Sequence, residues 1–465
     1  HRLIGRRAAS VADIFIAQGT QAAVAARAAL DEGMDARHVH TTYNTLDTLT
    51  ILREHGDVDD NDIVLVKGGR DSGIEEVVKA LGSDAHFDFV HSASTAYQPM
   101  RPTWVEIDTE ALAQNVRIIK RHVGDAVGLM AIVKADAYGH GAIRTAQTAL
   151  LNGAVYLGVG NLEEALLLRE GGISAPILVM GYVPPYGIRQ AAQHQLTVTI
   201  YDVESARALD RAARDIGQRL RVHVKIDSGM GRLGILPNDA MGLFRNLTRM
   251  THLEIEGIYT HFASADEDDV FTANQVEVFK EVMRPLKASG FKFKYIHAAN
   301  SAGLIASSEN YFNMVRAGIA LYGLRASDKH PLLEGIRPVM TWKTVISQVK
   351  TLPPGHVVGY GGTYRTRGKE TVAVLCVGYA DGYRRAPRRP AEVLIHGKRA
   401  PVIGRVSMEK TVVNVTHIPE ATMGDEVVLL GQQGHDVITA EEMAKWLDTV
   451  NYEVVCGALP RVPRR

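Results

Sequence analysis

The chain has 465 residues, more than one hydrophobic core usually organises, so we expect two or three domains. Hydrophobic residues make up 46% of it, charged residues make up 22%, and the formal net charge is zero, which argues against nucleic acid as a partner. The two cysteines are too few for a disulfide framework, and no apolar run approaches the roughly 18 residues that span a bilayer, so we expect a cytoplasmic protein that does not enter a membrane.

Residues 1–85 predict a small α/β module. The sequence starts without a methionine or a signal peptide, and we expect its first residues to be the cut end of a longer chain. Short apolar runs alternate with segments of helical period, which is typical of a parallel sheet. The predicted strands are 11–16, 38–40 and 62–67, and the predicted helices are 21–31, 46–54 and 75–81. Residues 86–102 have no clear period and predict a linker.

Residues 103–337 predict a (β/α)8 TIM barrel, because strand and helix patterns alternate from Trp104 onward. The strand candidates are 128–133, 154–159, 176–180, 197–200, 221–226 and 255–259, and helix candidates such as 162–170 and 203–216 lie between them. Residues 338–465 change character and predict an all-β domain with Gly- and Pro-bearing turns. Its strand candidates are 344–346, 371–377, 392–395 and 426–430.

Lys134 is the most informative single residue. It follows the apolar run 128–133 and precedes a Gly-rich polar turn. A lysine at the carboxyl end of a buried parallel strand points toward the mouth of a barrel, where barrel enzymes keep their chemistry. Burial there favours the neutral amine, which forms Schiff bases. From this motif alone, a lysine that merely reaches from a strand end into solvent is the open alternative.

Seven further motifs follow Lys134 along the chain. Each is weak alone, because a Gly-Arg or His-Phe pair beside a strand is usually a packing feature. The motifs are 227–232, 260–263, 297–303, 315–323, 359–364, 378–382 and 404–408. In this order and at these spacings, from about Thr103 to Arg464, they resemble the alanine racemase family, the pyridoxal-phosphate enzymes of fold type III.

The resemblance implies an isomerase that interconverts L- and D-alanine by two-base proton transfer and supplies D-alanine for peptidoglycan. Lys134 matches the family's Schiff-base lysine, which also serves as the base on one face of the substrate, and Tyr360 matches the base on the other face. The family forms homodimers in which the β domain completes the partner's site, so Tyr360 would act in trans. A tyrosine works as a base near neutrality only if positive charge favours the phenolate, and His261 and Arg316 match its sources.

The resemblance also implies a binding site for pyridoxal phosphate. Arg316 matches the arginine that faces the pyridine nitrogen, where a permanently charged guanidinium leaves the ring a weaker electron sink than an acid would. His297 resembles the histidine that orients this arginine. The phosphate would be held at a Gly-rich helix start by Tyr138, Ser301, the backbone amides of Gly318 and Ile319, and Tyr452. No metal site is expected.

Substrate contacts follow from the same resemblance. Arg232 and the backbone amide of Met408 match the carboxylate site, and Lys225 matches a lysine that is carbamylated in part of the family, with an ordinary lysine as the open alternative. A departure is Glu409, which replaces the more usual aspartate and is expected to loosen the carboxylate pocket. The remaining matches line the access passage: Asp266, Tyr379 and Arg385, with Tyr360 and Tyr452 narrowing it in favour of a small side chain.

Other functions were weighed against this one. A serine or broad-specificity racemase remains close, whereas a fold type III decarboxylase would need a carboxylate in the place of Arg316. A non-catalytic pyridoxal-phosphate carrier would resemble the barrel alone, and a scaffold for cell-wall enzymes would depend on the small N-terminal module. Residues 158–163 begin like a dinucleotide fingerprint, but Glu163 occupies the third glycine position, so we exclude nicotinamide binding.

Residues 1–85 resemble a second family, the C-terminal domain of the Mur ligase that adds D-Ala-D-Ala to the UDP-muramyl peptide. The segments that carry the resemblance are 62–70 and 75–78. The sequence contains no Gly-x-x-x-x-Gly-Lys-Ser/Thr loop, so the module cannot bind ATP by that route. The resemblance implies a catalytically silent fragment of a ligase–racemase fusion.

Overall fold

The computed structural model describes residues 1–42, 45–54, 63–66, 77, 101–385 and 391–465. The chain forms two compact units, one made of residues 1–100 with 167–174 and the other of 101–166 with 175–465. Within the described ranges, no helix combines the length and the apolar character needed to cross a bilayer.

The N-terminal unit contains a two-stranded parallel sheet. Strands β1 (Phe15–Gln18) and β2 (Val39–Thr42) pair with Phe15 opposite Val39, and the helix Thr20–Asp31 connects them. A parallel pair needs such a crossover, because both strands run in the same direction. The first strand begins later than the predicted 11–16. The other helices of this unit are Arg2–Ala8 and Thr45–Glu54.

The predicted third strand of this unit, 62–67, is not formed in its described residues. Residues 63–66 have no regular structure, and Ile63 and Leu65 are 98% and 86% exposed. An apolar run becomes a strand only where neighbouring strands or a core cover it, and the described residues offer no such cover here. The predicted helix 75–81, apart from Val77, and residues 86–100 of the predicted linker lie outside the described residues.

Strand β3 (Thr103–Ile107) opens the second unit and corrects the expected start of the barrel series at Trp104. It pairs antiparallel with the long strand Met340–Leu352, with Trp104 opposite Lys343, and so belongs to the C-terminal sheet. Its residues alternate between buried and half-buried. That period is typical of a strand with one covered face, whereas barrel strands are buried on both faces.

Eight parallel strands close into a barrel, which confirms the predicted TIM-barrel fold. They are β4 (Gly128–Ile132), β5 (Tyr156–Val159), β6 (Ile177–Val179), β7 (Thr197–Ile200), β8 (Leu220–Lys225), β9 (Leu253–Tyr259), β10 (Tyr295–His297) and β11 (Met314–Ala317). They lie in chain order around the barrel, and β11 pairs with β4 to close it. Strands β5, β6, β7 and β11 are buried throughout, as expected for a sheet covered by helices.

Helices follow the barrel strands, and several begin at aspartate caps. Asp108, Asp202 and Asp268 each accept a hydrogen bond from a backbone N–H of the first turn, at 2.7–2.9 Å. These bonds satisfy donors that the helix itself leaves unpaired. The helices are Thr109–Val123, Lys134–Tyr138, Ala142–Leu151, Leu162–Glu170, Ile188–Gln193, Val203–Asp215, Pro237–Leu247, Asp269–Ala288 and Ser301–Ala306.

The C-terminal part is rich in strands, as predicted. The strands are β12 (Met340–Leu352), β13 (Val357–Val358), β14 (Tyr364–Arg365), β15 (Glu370–Leu375), β16 (Glu392–Ile395), β17 (Lys398–Pro401), β18 (Thr411–Asn414), β19 (Glu426–Gln433) and β20 (Asp436–Ile438). The main sheet has the order β17-β16-β19-β12-β15-β18. Two helices, Ala440–Leu447 and Asn451–Cys456, follow the last strand, and the second carries Tyr452.

Candidate active site

Lys134 begins a left-handed turn at the carboxyl end of β4. The next four residues, 135–138, all have φ between 52° and 55°, although none is glycine. Left-handed helical residues other than glycine cost roughly 1–2 kcal/mol each. The turn is closed by backbone hydrogen bonds from Ala137 to Val133 and from Gly139 to Ala135, both at 2.9 Å. Such strain is typical of functional sites.

Glu164 helps to hold this turn, although sequence reasoning did not single it out. Its carboxylate accepts hydrogen bonds from the backbone N–H groups of Ala135 and Gly160, both at 2.7 Å. It thereby joins the ends of β4 and β5. The Gly160 donor that Glu164 binds lies in the segment 158–163 that begins like a dinucleotide fingerprint. An acidic residue soon after Gly-x-Gly was the signal in the sequence.

The Lys134 side chain remains exposed at the barrel mouth. Partial withdrawal from water lowers the pKa of its ammonium group, and the positive charge of Arg232 lowers it further. The Nζ atom lies 5.9 Å from the centre of the Tyr138 ring. A lowered pKa increases the share of neutral amine, which is the form that attacks a carbonyl or accepts a proton.

A tight loop after β8 presents Arg232. Asp227 Oδ1 accepts hydrogen bonds from the backbone N–H groups of residues 229–231 at 2.9–3.0 Å, which folds the loop back on itself. Arg232 is exposed. Its charge is nevertheless close enough to lower the pKa values of both Lys134 and Lys225. The loop therefore brings a cation to the side of the mouth where Lys134 lies.

Lys225 is buried at the end of β8, with 6% of its surface exposed. Its Nζ lies 5.5 Å from the centre of the Tyr259 ring. Burial lowers its pKa to about 8, and the charges of Arg316 and Arg232 act in the same direction. A large share of this amine is therefore neutral near pH 8.

Arg316 lies on β11 and is 2% exposed. Its Nη2 donates to the carbonyl oxygens of Thr260 and Ala298 at 2.8 and 2.7 Å. Its Nη1 lies 2.8 Å from Nδ1 of His297, and its Nη2 lies 3.0 Å from Nδ1 of His261. In the described part of the chain, no carboxylate forms a hydrogen bond with this guanidinium. Burial lowers its pKa to about 10, so it stays charged at neutral pH.

The two histidines beside Arg316 are neutral. A guanidinium has only N–H donors, so a proton on Nδ1 of either histidine would face another N–H, and both Nδ1 atoms are therefore unprotonated. Burial lowers the pKa of each well below its usual value, and the charge of Arg316 lowers it further. The expectation that His261 supplies positive charge is therefore not met. Arg316 remains the buried cation of this group.

Ser301 and Gly318 form a cradle of hydrogen-bond donors. Ser301 Oγ accepts from the backbone N–H groups of Gly318 and Ala320 at 2.8 and 3.3 Å. A Cβ atom on Gly318 would lie 2.7 Å from the Tyr138 hydroxyl, so only glycine leaves this space open. Ile319 is buried at the start of the 3-10 turn Ile319–Tyr322. The Ser301 hydroxyl proton stays available to an anion, whereas the Gly318 N–H would have to leave Ser301 Oγ to bind one.

Aromatic rings form the wall beside this cradle. The Tyr138 ring lies 4.9 Å from that of Tyr322 and 6.1 Å from that of Tyr452. Burial raises the pKa of Tyr138, which keeps its hydroxyl protonated. Burial also raises the pKa of Tyr452 to about 12, with a further contribution from the negative charge of Asp266. The predicted passage residues Asp266 and Tyr452 are thus neighbours.

Besides Tyr452, four other predicted residues lie in the C-terminal part. Tyr360, in the 3-10 turn Tyr360–Gly362, is 67% exposed, Met408 is 55% exposed, Tyr379 is 38% exposed, and Arg385 is also exposed. Backbone bonds at 3.0 Å join residues 379–380 to residues 407–408. Among the described residues, none of the four side chains forms a hydrogen bond or ring contact with Lys134. The single chain thus brings together the barrel residues but not Tyr360.

Comparison with protein families identifies the matching domains. Residues 107–326 match the family described as alanine racemase, N-terminal domain, and residues 339–465 match alanine racemase, C-terminal domain. An alanine racemase of Symbiobacterium thermophilum is 46% identical over 366 residues, which cover 78% of this chain and 97% of that protein. An alanine racemase of Desulfovibrio desulfuricans is 44% identical over 78% of this chain and 98% of its own length.

Solved structures agree with these matches. An alanine racemase from Clostridium difficile 630 is 38% identical with a TM-score of 0.75, covering 78% of this chain and 95% of that one. An alanine racemase from Bacillus anthracis, crystallised with bound L-Ala-P, is 39% identical with a TM-score of 0.75, covering 78% of this chain and 94% of that one. Both family domains and the barrel fold thus agree, and the chain belongs to the alanine racemase family.

Proposed function

We propose that this protein interconverts L- and D-alanine with pyridoxal 5'-phosphate as its cofactor. The observation that carries the proposal is the pairing of Lys134, a lysine of lowered pKa at the barrel mouth, with Arg316, a buried cation that no described carboxylate bonds. Lys134 would hold the cofactor through its amine, and Arg316 would face the cofactor's ring nitrogen.

The residues present fit this cofactor. Lys134 supplies an amine for its aldehyde, and Tyr138, Ser301 and the backbone N–H groups of Gly318 and Ile319 would hold its phosphate. Because a Cβ on Gly318 would lie 2.7 Å from the Tyr138 hydroxyl, glycine at this position lets that hydroxyl approach the turn that would hold the phosphate. Tyr452 would close the cradle from the side. When bound, pyridoxal phosphate supplies an electron sink that makes the α-proton of an amino acid removable.

In this proposal Lys134 and Tyr360 of the partner subunit move the proton. The Lys134 amine takes or returns the α-proton on one face of the substrate, and the Tyr360 hydroxyl does so on the opposite face. The 67% exposure of Tyr360 in a single chain supports a homodimer, because a phenol that faces outward can reach a site on another subunit. Since His261 is neutral, the positive charges that favour the phenolate would come from Arg316 and Arg232.

The presence of Arg316 also favours racemisation over decarboxylation. A decarboxylase of this fold type would need an acid at the pyridine nitrogen to strengthen the electron sink. Arg316 is instead bonded to carbonyl oxygens and to neutral histidines, and its pKa of about 10 keeps its proton in place at neutral pH. This arrangement would favour return of the α-proton to the amino acid over loss of its carboxylate.

Arg232 and the backbone N–H of the partner's Met408 would bind the substrate carboxylate. The exposure of both groups agrees with contacts that form only when substrate and partner are present. Asp266, Tyr379, Arg385 and Tyr452 would line the access passage, and its aromatic rings favour a methyl side chain over a larger one.

The test follows optical rotation of L-alanine with purified protein and added pyridoxal phosphate. We expect rotation to fall to zero without release of CO2, and we expect a visible absorbance band that borohydride removes. Serine should react more slowly than alanine. Release of CO2 would identify a decarboxylase, and no reaction with any amino acid despite bound cofactor would identify a carrier.

We further propose domain boundaries and a cellular role. The support for a ligase-like module at 1–85 is the parallel pair β1–β2 with its crossover helix, and residues 103–337 and 338–465 would then form the barrel and β-rich domains. D-Alanine made in the cytoplasm would supply peptidoglycan. Loss of growth without added D-alanine, after deletion of the gene, would test this role.

A further inference from the structure

A row of buried polar side chains runs from Arg316 into the barrel. Arg316 Nη1 lies 2.8 Å from His297 Nδ1, His297 Nε2 lies 2.9 Å from His223 Nδ1, and His223 Nε2 lies 3.3 Å from Glu256 Oε2. Glu256 also accepts a hydrogen bond from the Tyr156 hydroxyl at 2.8 Å. All five residues are buried, with Glu256 5% exposed and both histidines 0% exposed.

The direction of every hydrogen bond in this row follows from Arg316. A guanidinium has only N–H donors, so His297 Nδ1 accepts, and the proton of a neutral His297 must lie on Nε2. His297 Nε2 therefore donates to His223 Nδ1. The proton of His223 then lies on Nε2, which donates to the Glu256 carboxylate. Neither imidazole has freedom to change tautomer without breaking a bond.

Glu256 ends the row on the side away from Arg316. A buried carboxylate is stable only with donors or an opposite charge around it. Its donors are His223 and Tyr156, and the Lys294 ammonium lies 3.7 Å away at the surface. Burial raises the pKa of Glu256, but hydrogen bonds from His223 and Tyr156 outweigh this effect and leave the pKa below its usual value. Glu256 is therefore ionised at neutral pH.

We propose that His223 and Glu256 are positioning residues that hold Arg316 in place and keep it charged through His297. The inference deepens the proposed function, because it matters for chemistry only if Arg316 faces the pyridine nitrogen. The negative charge of Glu256 favours the charged guanidinium and thus opposes transfer of its proton to that nitrogen. The row would in this way limit transamination, in which alanine becomes pyruvate and the cofactor keeps the amino group.

The first test is neutron diffraction from a deuterium-exchanged crystal of the cofactor-free protein. We expect deuterium on Nε2 of His297 and on Nε2 of His223, and none on either Nδ1. Deuterium on an Nδ1 atom of either histidine would overturn the proposal. This measurement does not depend on catalysis, so its failure is distinguishable from failure of the proposed racemase activity.

The second test compares Glu256→Gln with Glu254→Gln, a change at an exposed position of the same strand. Glutamine keeps the shape of the side chain but removes its charge. We expect Glu256→Gln to raise pyruvate formed per racemisation event about tenfold, with KM for alanine within about twofold of wild type. Glu254→Gln should change neither quantity.

A purely structural role for the row would lower stability without changing this ratio. Equal ratios in the two variants would therefore overturn the proposal. If Glu256→Gln does not fold, Tyr156→Phe provides the second variant, because it removes one donor from Glu256 and leaves the two histidines and Glu256 in place. We expect its ratio of pyruvate formed to racemisation events to rise by less than about threefold. A ratio identical to that of wild type would contradict the proposed role of the Glu256 charge.

Discussion

The barrel mouth and the C-terminal β-rich domain present their candidate reactive groups in opposite ways. At the mouth, Arg316 is 2% exposed and bonded on several sides within its own chain. In the β-rich domain, Tyr360 is 67% exposed and Met408 is 55% exposed. A barrel can build a cradle from its own strand ends, whereas outward-facing groups act only on what another surface brings to them. The contrast supports a site assembled from two subunits.

Removal of the amine at the barrel mouth should have the largest effect. We expect Lys134→Ala to reduce racemisation at least about a thousandfold, because it removes one of the two proposed proton carriers and the anchor of the cofactor. The fold should persist, since the side chain is exposed. Polarimetry with L-alanine measures the loss, and absence of the borohydride-sensitive absorbance band shows its cause. Activity within about tenfold of wild type would contradict the role of Lys134.

Replacement of the outward-facing Tyr360 should reduce racemisation nearly as much as replacement of Lys134. We expect Tyr360→Phe to lower kcat about a hundredfold or more while the visible absorbance band remains, because the cofactor cradle lies in the barrel. An equal mixture of Tyr360→Phe and Lys134→Ala subunits should recover about a quarter of wild-type activity after exchange, since half the dimers would contain one intact site. No recovery after verified subunit exchange would contradict sharing of the site between subunits.

A methyl group added at Gly318 would crowd the cofactor-binding cradle, and it therefore tests the barrel half of the proposed site alone. A Cβ on Gly318 would lie 2.7 Å from the Tyr138 hydroxyl, so Gly318→Ala should force the ring or the turn to move. We expect affinity for pyridoxal phosphate to fall about tenfold or more, in line with a packing penalty of roughly 1–3 kcal/mol. Fluorescence titration measures this, and kcat at saturating cofactor should change much less. Gly242→Ala is a suitable control, because no atom lies within 4 Å of its Cβ position.

The sequence predicted the barrel well because its strands are uninterrupted apolar runs with polar motifs directly after them. Strands β10 and β11 were not among the predicted strands, since three or four residues are too few to show a period. Trp104 was assigned to the wrong sheet because its strand also precedes a helix. Pairing with a strand that begins at Met340 is a long-range contact that local patterns do not report.

The sequence also predicted many residues of the candidate site, but it did not predict their backbone conformation or their contacts. The left-handed turn after Lys134 has no signal in Ala135, Asp136 or Ala137, which favour the right-handed form in isolation. His223 and Glu256 escaped notice because burial and partners decide whether a polar residue in an apolar strand has a role. The neutral state of His261 likewise depends on its distance from Arg316, which spacing in the sequence does not give.

We expect Lys225 to react with CO2 in a pH-dependent way, because its pKa of about 8 lies below the usual value for lysine. Only neutral amine reacts with CO2, so carbamylation should increase as pH rises through about 8. The cations Arg232 and Arg316 beside it would stabilise the resulting anion. We expect a carbamate signal by 13C NMR with labelled bicarbonate, stronger at higher pH and absent in Lys225→Arg. A signal that is absent throughout this pH range would leave Lys225 an ordinary amine.

We expect the smallest change in KM for alanine from substitution of Glu409, the residue from which the sequence predicted a looser carboxylate pocket. Its carboxylate lies 2.8 Å from Arg461 and 3.7 Å from Arg101, so its charge is already engaged within its own chain. Half-exposed ion pairs of this kind contribute about 0–1 kcal/mol. We therefore expect Glu409→Asp to change KM for alanine less than about threefold, whereas Arg232→Lys should raise it about tenfold or more. A tenfold fall in KM for Glu409→Asp would mean that the longer side chain does reach the substrate pocket, and that the outward-facing half of the site depends on more than Tyr360 and Met408.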